Sequence, residues 1–265
     1  MEELKKKVKQ ALEEGKIHGF LGLRADGGEV SPFFVTKENI SDIEKLTAPE
    51  GRYSIAKILS HIAVRNPGKV IGVMVRGCDE RAIIELTKAS QMGSATIVQF
   101  GVACTPQTAE KCNCPQPYPS QIDFGEKSQG VDHNELLAKL EQMSVEDRLA
   151  YWLSQFDKCI KCYGCRNICP VCYCKECTLE DKNLVPGGIV PPATPVFHFI
   201  KAMHMADRCI DCGLCEATCP MNIPLRTIYR HMRKAMQELF EYVPGKAASD
   251  KSPLGALEEG GRLVH

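Results

Sequence analysis

The chain has 265 residues, with 33 basic and 33 acidic side chains and therefore a formal net charge of zero. This balance gives no indication of a nucleic-acid-binding protein or of a general attraction to anionic membranes, so we expect protein partners. No apolar run approaches the roughly 20 residues that span a bilayer, and the charged amino terminus lacks the apolar segment of a signal peptide. We therefore expect a cytoplasmic protein whose 15 cysteines stay reduced.

An α/β domain is predicted over residues 1–120. The charged segment Glu2–Glu14 favours a helix that ends at Gly15, and the turn Ala25–Gly28 favours a hairpin because Asp-Gly-Gly tolerates positive φ. The pattern predicts two hairpin strands, over 18–23 and 30–35, and then a helix over 55–64. A strand over 70–75, a helix over 80–89 and a strand over 95–102 follow. The last three form a βαβ unit, which implies parallel strands in a mixed or parallel sheet.

The remainder is predicted to be a linker and helix over 121–156, followed by a smaller cysteine-rich domain over 157–245. Proline-rich residues near 105–130 indicate a loop, and a helix over 134–156 leads into the first cysteines. We expect this domain to have the α+β fold of a bacterial two-cluster ferredoxin, with a carboxyl-terminal helix. An extended loop is predicted over 185–195. The tail over 246–265 is expected to be flexible.

The carboxyl-terminal helix, Pro224–Tyr242, has a single apolar face. Its apolar residues follow three-four spacing: Leu225, Ile228, Met232, Met236, Leu239 and Phe240. This face either covers the cysteine-rich domain or docks into a partner subunit, and the spacing leaves both alternatives open.

Two cysteine runs carry the strongest functional signal. Each has the pattern C-x2-C-x2-C-x3-C-P and ends at Pro170 or Pro220. In two-cluster ferredoxins with this spacing, the fourth cysteine of each run ligates the other cluster. We therefore predict that one 4Fe-4S cluster is bound by Cys159, Cys162, Cys165 and Cys219. The second would be bound by Cys209, Cys212, Cys215 and Cys169. Ordinary thiols or zinc sites are the alternative, but zinc sites usually show paired C-x2-C units.

Four further cysteines belong to the α/β domain. Cys78 and Cys104 each follow a strand of the βαβ unit, so both lie at carboxyl ends of parallel strands, where ligand sites concentrate. Cys112 and Cys114 lie on the loop just downstream. These four thiols predict a possible third 4Fe-4S cluster. Alternatively, the first two are small buried side chains, and the pair binds zinc or nothing.

Cys172, Cys174 and Cys177 follow the first run directly, as a triplet with uneven spacing. Three thiolates leave a metal site one ligand short. A fourth ligand from the amino-terminal loop, His198 or His204 would give zinc or another cluster, whereas packing beside the clusters or a switched ligand role is equally allowed. These three cysteines are left without an assignment.

Two parts of the chain resemble known redox families. The first rests on Leu12–Leu23, Tyr53–Lys57, Arg76–Asp79, Ile83–Leu86 and Gly101–Cys104. These motifs resemble the amino-terminal part of the beta subunits of formate dehydrogenase and of the hydrogenase that reduces the deazaflavin coenzyme of methanogens. The resemblance implies that the cluster-binding cysteines of that family fall on Cys78, Cys104, Cys112 and Cys114. The second part, from Lys158 to about Gly245, resembles the dicluster ferredoxin module of formate dehydrogenases and heterodisulfide-reductase-associated subunits.

Together these patterns favour a non-catalytic electron-transfer subunit that passes single electrons between a catalytic subunit and a partner. The flavin- and deazaflavin-binding region of the resembled family is largely missing between Cys114 and Cys159, which argues against independent dehydrogenase activity. A flavin-containing subunit that reacts with deazaflavin or NAD is the alternative, although no G-x-G-x-x-G fingerprint is present. A zinc-binding structural protein is the third possibility. No catalytic residue is assigned.

Overall fold

The computed structural model describes residues 1–48, 51–181, 183 and 196–254. The chain divides into two compact units, Met1–Asp132 and His133–His265. None of the helices in the described ranges combines the length and hydropathy needed to cross a membrane.

A four-stranded mixed sheet forms the centre of the first unit. Its strands are β1 Gly19–Asp26, β2 Glu29–Val35, β3 Val70–Val75 and β4 Thr96–Gly101, in the order β2-β1-β3-β4. The first two pair antiparallel, whereas β3 pairs parallel with β1 and with β4. The predicted hairpin forms because Gly27 and Gly28 adopt φ of +59° and +85°, which a side chain would disfavour.

Helices accompany the sheet of the first unit, and those predicted over 2–14, 55–64 and 80–89 are among them. They are α1 Glu2–Glu13, a 3-10 helix Lys37–Lys45, α2 Ile55–Arg65, α3 Gly77–Lys88 and α4 Pro106–Cys112. Helix α3 begins earlier than its apolar pattern indicated because the Asp79 carboxylate accepts a hydrogen bond from the backbone N–H of Arg76 at 3.1 Å. Helix α4 lies within the predicted loop, where Thr105 caps it and Pro106 opens it.

The residues after β4 fold back closely against the end of the sheet. The backbone N–H of Gly101 donates to the Asp123 carboxylate at 2.8 Å, and the N–H of Phe124 donates to the Gly101 carbonyl at 3.0 Å. A Cβ atom at Gly101 would stand 1.8 Å from the Gln121 carbonyl oxygen. Glycine at this position therefore permits the close approach.

We expect Gly101→Ala to destabilise the first unit by about 3 kcal/mol, because the clashing atom belongs to the backbone and cannot rotate away. Hydrogen exchange of strand β4 measures the effect. The matched control is Gln99→Ala, an exposed position on the same strand, for which we expect a change within about 0.5 kcal/mol. Equal exchange rates in the two variants would contradict the steric argument.

In its described residues the second unit contains helices and no strand. The helices are α5 Glu135–Glu141, α6 Val145–Phe156, α7 Gly164–Asn167, a 3-10 helix Thr178–Glu180, α8 Val196–Met205, α9 Leu214–Ala217 and α10 Leu225–Phe240. The single helix predicted over 134–156 is divided because the Ser144 hydroxyl accepts a hydrogen bond from the Asp147 N–H at 3.0 Å and caps a new helix. The predicted loop 185–195 lies outside the described residues. The fold class is therefore confirmed as an α/β unit followed by a helical, ferredoxin-like unit with a carboxyl-terminal helix.

The apolar face of α10 largely packs inside its own unit. Leu225, Ile228 and Met236 are buried, whereas Leu239 and Phe240 remain 74% and 49% exposed. Most of the predicted face therefore covers the cysteine-rich unit. Beyond this helix, residues 246–254 are described, and the Ser252 hydroxyl donates to the Asp207 carboxylate at 2.5 Å. The rest of the predicted tail lies outside the described residues.

Candidate metal centres

The two cysteine runs adopt the same backbone conformation. Lys161 and Tyr163 in the first run, and Asp211 and Gly213 in the second, all have φ between 52° and 69°. These left-handed residues occupy equivalent positions, two and four residues after the first cysteine of each run. Three of them are not glycine, so each costs roughly 1–2 kcal/mol. The repeated strain indicates that both loops are shaped for the same task.

Two cavities lie between the runs, and each is lined by four cysteines. The wall of the first includes Cys159, Cys162, Cys165 and Cys219. The wall of the second includes Cys169, Cys209, Cys212 and Cys215. Each cavity thus takes three thiols from one run and the fourth from the other. This grouping supports the ligand sets derived from the spacing, which stay predictions.

Two buried polar side chains face these cavities without a hydrogen-bond partner among the described residues. They are His198, whose two ring nitrogens are both unsatisfied, and Tyr229, whose hydroxyl is unsatisfied. His198 lines the first cavity and Tyr229 the second. An unsatisfied buried polar group costs about 1–3 kcal/mol. Sulfide and thiolate sulfurs of a cluster would accept these hydrogen bonds, so the residues present fit a 4Fe-4S group in each cavity.

Burial favours the neutral forms of His198 and of the cavity cysteines Cys165 and Cys212. It lowers the pKa of His198 to about 4, with a smaller effect from the charge of Lys201, so the imidazole offers one N–H donor. Burial also raises the pKa of the Cys165 and Cys212 thiols to about 11. Because the thiolate is the metal ligand, cluster binding would release these protons.

Lys201 supplies a buried positive charge that acts on cysteines of both cavities, Cys165 in the first and Cys215 in the second. Its side chain is 2% exposed, and its ammonium nitrogen lies 3.4 Å from the Cys172 sulfur and 5.5 Å from the centroid of the Tyr229 ring. Burial alone would lower its pKa, but Tyr229, Cys169, Cys172 and Cys165 together hold that pKa well above its usual range. The ammonium group would therefore balance negative charge on clusters in either cavity.

A buried ion-pair network fixes the loop of the second run to α10. The Asp211 carboxylate, between Cys209 and Cys212, accepts from the Arg226 guanidinium at 2.5 Å and from the Arg230 guanidinium at 2.9 Å. Burial would raise the pKa of Asp211, but the two arginines hold it below its usual range. This loop is therefore held by paired charges on the helix that covers it.

Three of the four cysteines predicted for the α/β unit, Cys104, Cys112 and Cys114, lie close enough to interact electrostatically, and Arg76 interacts with both Cys78 and Cys104. Cys78 is in the first turn of α3, Cys104 follows β4, and Cys112 and Cys114 lie at and just beyond the end of α4. Burial raises the pKa of Cys104 to about 12, opposed by the charge of Arg76 and reinforced by Cys114 and Cys112. The proximity supports the third cluster, which stays a prediction.

Single-ion sites find no support in the described ranges. No group of three or more histidine, cysteine, aspartate or glutamate side chains there is arranged as a metal ion requires. Zinc needs thiolates about 2.3 Å from its centre, and hence close to one another. Thiols spread around a cavity suit a cube of four irons better than one zinc ion.

Sequence reasoning missed part of the surroundings of the cavities. It considered His198 as a possible ligand but did not identify Lys201, Tyr229 or Asp211. Asp211 lies within the second run, so its position carried a usable signal. Lys201 and Tyr229 lie on helices whose placement depends on tertiary packing, so no local pattern indicated them.

Comparison with known proteins agrees with this geometry. Residues 158–224 match the family model of the 4Fe-4S dicluster domain. The chain therefore contains a 4Fe-4S dicluster domain, as the cysteine spacing predicted.

The similar proteins are subunits of formate dehydrogenases. The chain is 37% identical over 133 residues to the F420-dependent formate dehydrogenase subunit beta of Methanocaldococcus jannaschii, covering 49% of this chain and 35% of that protein. It is 42% identical over 102 residues to F420-dependent formate dehydrogenase 1 subunit beta of Methanococcus maripaludis, covering 38% and 26%. A formate dehydrogenase iron-sulfur subunit of Haemophilus influenzae is 30% identical over 113 residues, covering 42% and 28%. These matches confirm the resemblance inferred from the sequence, and they span between 26% and 35% of the length of each relative.

We expect Tyr229→Phe to make the reduction potential of the second-cavity cluster more negative, because removing a donor to sulfur destabilises the more negatively charged reduced state. A tenfold change in the reduction equilibrium, about 59 mV, is the expected size. Potentiometric titration followed by electron paramagnetic resonance measures it. Tyr151→Phe, outside both cavities, is the control. Unchanged potentials in Tyr229→Phe would show that the hydroxyl does not face a cluster.

Proposed function

We propose that this chain is a non-catalytic electron-transfer subunit of a cytoplasmic multi-subunit oxidoreductase, passing single electrons through its 4Fe-4S clusters. The observation that carries this proposal is the pair of interleaved four-cysteine cavities, whose eight cysteines all lie within residues 158–224. A chain of clusters moves electrons between proteins without needing substrate chemistry of its own. The zero net charge and the many free thiols are consistent with protein partners in a reducing compartment.

The proposed catalytic partner is a formate dehydrogenase, because the relatives are named as subunits of that enzyme. Oxidation of formate to carbon dioxide releases two electrons and a proton, and a one-electron carrier must accept those electrons singly. A hydrogenase or a heterodisulfide-reductase-like assembly is the other proposed class of partner. Either would use this chain in the same way.

The side chains around the cavities define what the protein contributes. Bound clusters supply one-electron chemistry, with potentials set by ligand charge, burial and hydrogen bonds to sulfur. Lys201 offsets the negative charge of the clusters. His198 and Tyr229 offer buried hydrogen-bond donors that are shielded from water. The N–H of Lys161 adds a hydrogen bond to the Cys159 sulfur at 3.3 Å. Each feature favours the reduced state, so we expect these residues to raise the potentials.

The test is to co-purify the tagged full chain anaerobically with a formate dehydrogenase catalytic subunit and then add formate. We expect the cluster signals of this chain to appear in electron paramagnetic resonance within the turnover time of the catalytic subunit. The control complex carries Cys162→Ser with Cys212→Ser, and it should retain binding but lack the signals of the two dicluster centres.

Three results would contradict parts of the proposal. If dithionite reduces the clusters but formate does not, the formate dehydrogenase partner is wrong. If the chain alone oxidises formate, it is not a non-catalytic subunit. Release of a yellow chromophore on denaturation would support the flavin-containing alternative instead.

A further inference from the structure

A third cavity in the second unit is lined by the three cysteines that neither cluster cavity uses. Cys172, Cys174 and Cys177 contribute to its wall, and its volume is about 220 Å³. The three thiols come from one short loop directly after the first run. The loop therefore presents several metal-binding groups to a space larger than a single ion would fill.

The charges around this cavity favour an anionic occupant. Lys201, Arg166 and Arg208 line it. Arg166 pairs with Glu180, and Arg208 pairs with Asp207 at 3.2 Å, so these two arginine charges are partly balanced. Lys201 is 2% exposed, and its ammonium nitrogen lies 3.4 Å from the sulfur of Cys172, one of the thiols of this cavity. A buried cation is costly unless an anion accompanies it.

The spacing of the thiols separates the possible metal occupants of this cavity. Three thiolates give either a zinc ion or a 4Fe-4S cube a net negative charge, so the positive lining suits both. A zinc site would draw its thiolates close together, and no such group occurs in the described residues. His204 also lines the cavity, and its side chain is exposed at the rim. Histidine is a known ligand of iron in iron-sulfur centres.

The third cavity also borders the second cluster cavity. Val171 and Met205 contribute to the walls of both. The Cys169 thiol hydrogen-bonds with Cys172, which raises its pKa well above the usual range. A redox centre in the third cavity would therefore lie next to the cluster that Cys169 is predicted to ligate.

We propose that Cys172, Cys174 and Cys177 bind an additional 4Fe-4S cluster, with His204, which lines the same cavity, as the fourth ligand. This site is separate from the one predicted in the α/β unit. It does not depend on which enzyme the chain serves.

The test compares triple variants of the anaerobically purified full chain. Replacing Cys172, Cys174 and Cys177 by serine should lower the iron content by about four per chain, with the paramagnetic signals of the two dicluster centres retained. The control replaces Cys104, Cys112 and Cys114 by serine, which separates any cluster of the α/β unit from this one. An unchanged iron content in the first variant, or loss of one zinc ion instead of iron, would overturn the proposal.

A second variant covers the case in which the triple substitution prevents folding. Cys174→Ser alters the one exposed thiol of the three and should leave the fold intact. We expect it to lower iron content or to change the Mössbauer spectrum of one cluster only. A wild-type spectrum would overturn the proposal. Absence of the dicluster signals from the wild-type chain would instead contradict the proposed electron-transfer function, so the two failures are distinguishable.

Discussion

Two double variants with the same number of lost thiols should differ twofold in the iron they lose. Cys159→Ser with Cys219→Ser removes two ligands from one cavity, so we expect a loss of about four irons per chain. Cys159→Ser with Cys169→Ser removes one ligand from each cavity, so we expect a loss of about eight. The reason is that the fourth cysteine of each run lines the cavity of the other run. Iron and acid-labile sulfide per chain measure the difference.

The reverse result would refute the crossed ligand sets. If each run held its own cluster, Cys159→Ser with Cys169→Ser would lose only about four irons, and Cys159→Ser with Cys219→Ser would lose about eight. Cys169→Ser with Cys209→Ser is a further control within the second cavity and should lose about four. Far-ultraviolet circular dichroism of each variant checks that the helices remain.

The largest expected effect on stability is that of Asp211→Ala. The substitution leaves the guanidinium groups of Arg226 and Arg230 buried without the carboxylate that binds both of them. Breaking a buried ion pair in this way costs about 3–5 kcal/mol. We therefore expect faster hydrogen exchange in α10 and faster loss of iron to a chelator, because the loop carrying Cys209 and Cys212 is no longer held to this helix.

Glu141→Ala is the matched control for this prediction. Glu141 pairs with Lys234 of the same helix at 2.7 Å, but the two side chains are 30% and 45% exposed. Such surface pairs contribute about 0–1 kcal/mol. Asp211→Asn keeps the hydrogen-bond acceptor without the charge and should fall between the two. Equal effects of Asp211→Ala and Glu141→Ala on hydrogen exchange in α10 and on iron loss would contradict the claim that the buried ion pair stabilises the protein more than the exposed one.

Much of the fold follows from local sequence patterns. The hairpin lies where Asp-Gly-Gly permits positive φ. The βαβ unit lies where two apolar segments flank a segment with helical periodicity. The main errors were at caps. Ser144 ends one helix and begins another, and Thr105 with Pro106 starts a helix inside a predicted loop. Both signals were present in the sequence, but they are short and compete with longer patterns.

The site was predictable to the extent that its chemistry repeats along the chain. Duplicated cysteine spacing gave the dicluster domain, and equivalent left-handed residues in the two runs give it a duplicated backbone. The polar residues around the two cavities, in contrast, do not repeat along the chain. Lys201 and Tyr229 approach the cavities only because α8 and α10 pack together, which is a long-range property that no window of sequence contains.

Iron, acid-labile sulfide and zinc per chain, measured on the anaerobically purified protein, most directly test the claim that this chain carries electrons on 4Fe-4S clusters. The dicluster domain alone predicts about 8 irons per chain, and the α/β unit and the third cavity would each add about four. Equal amounts of iron and sulfide at 8 or more would agree with the claim. Near-zero iron with stoichiometric zinc would contradict it and make the protein a zinc-binding structural subunit.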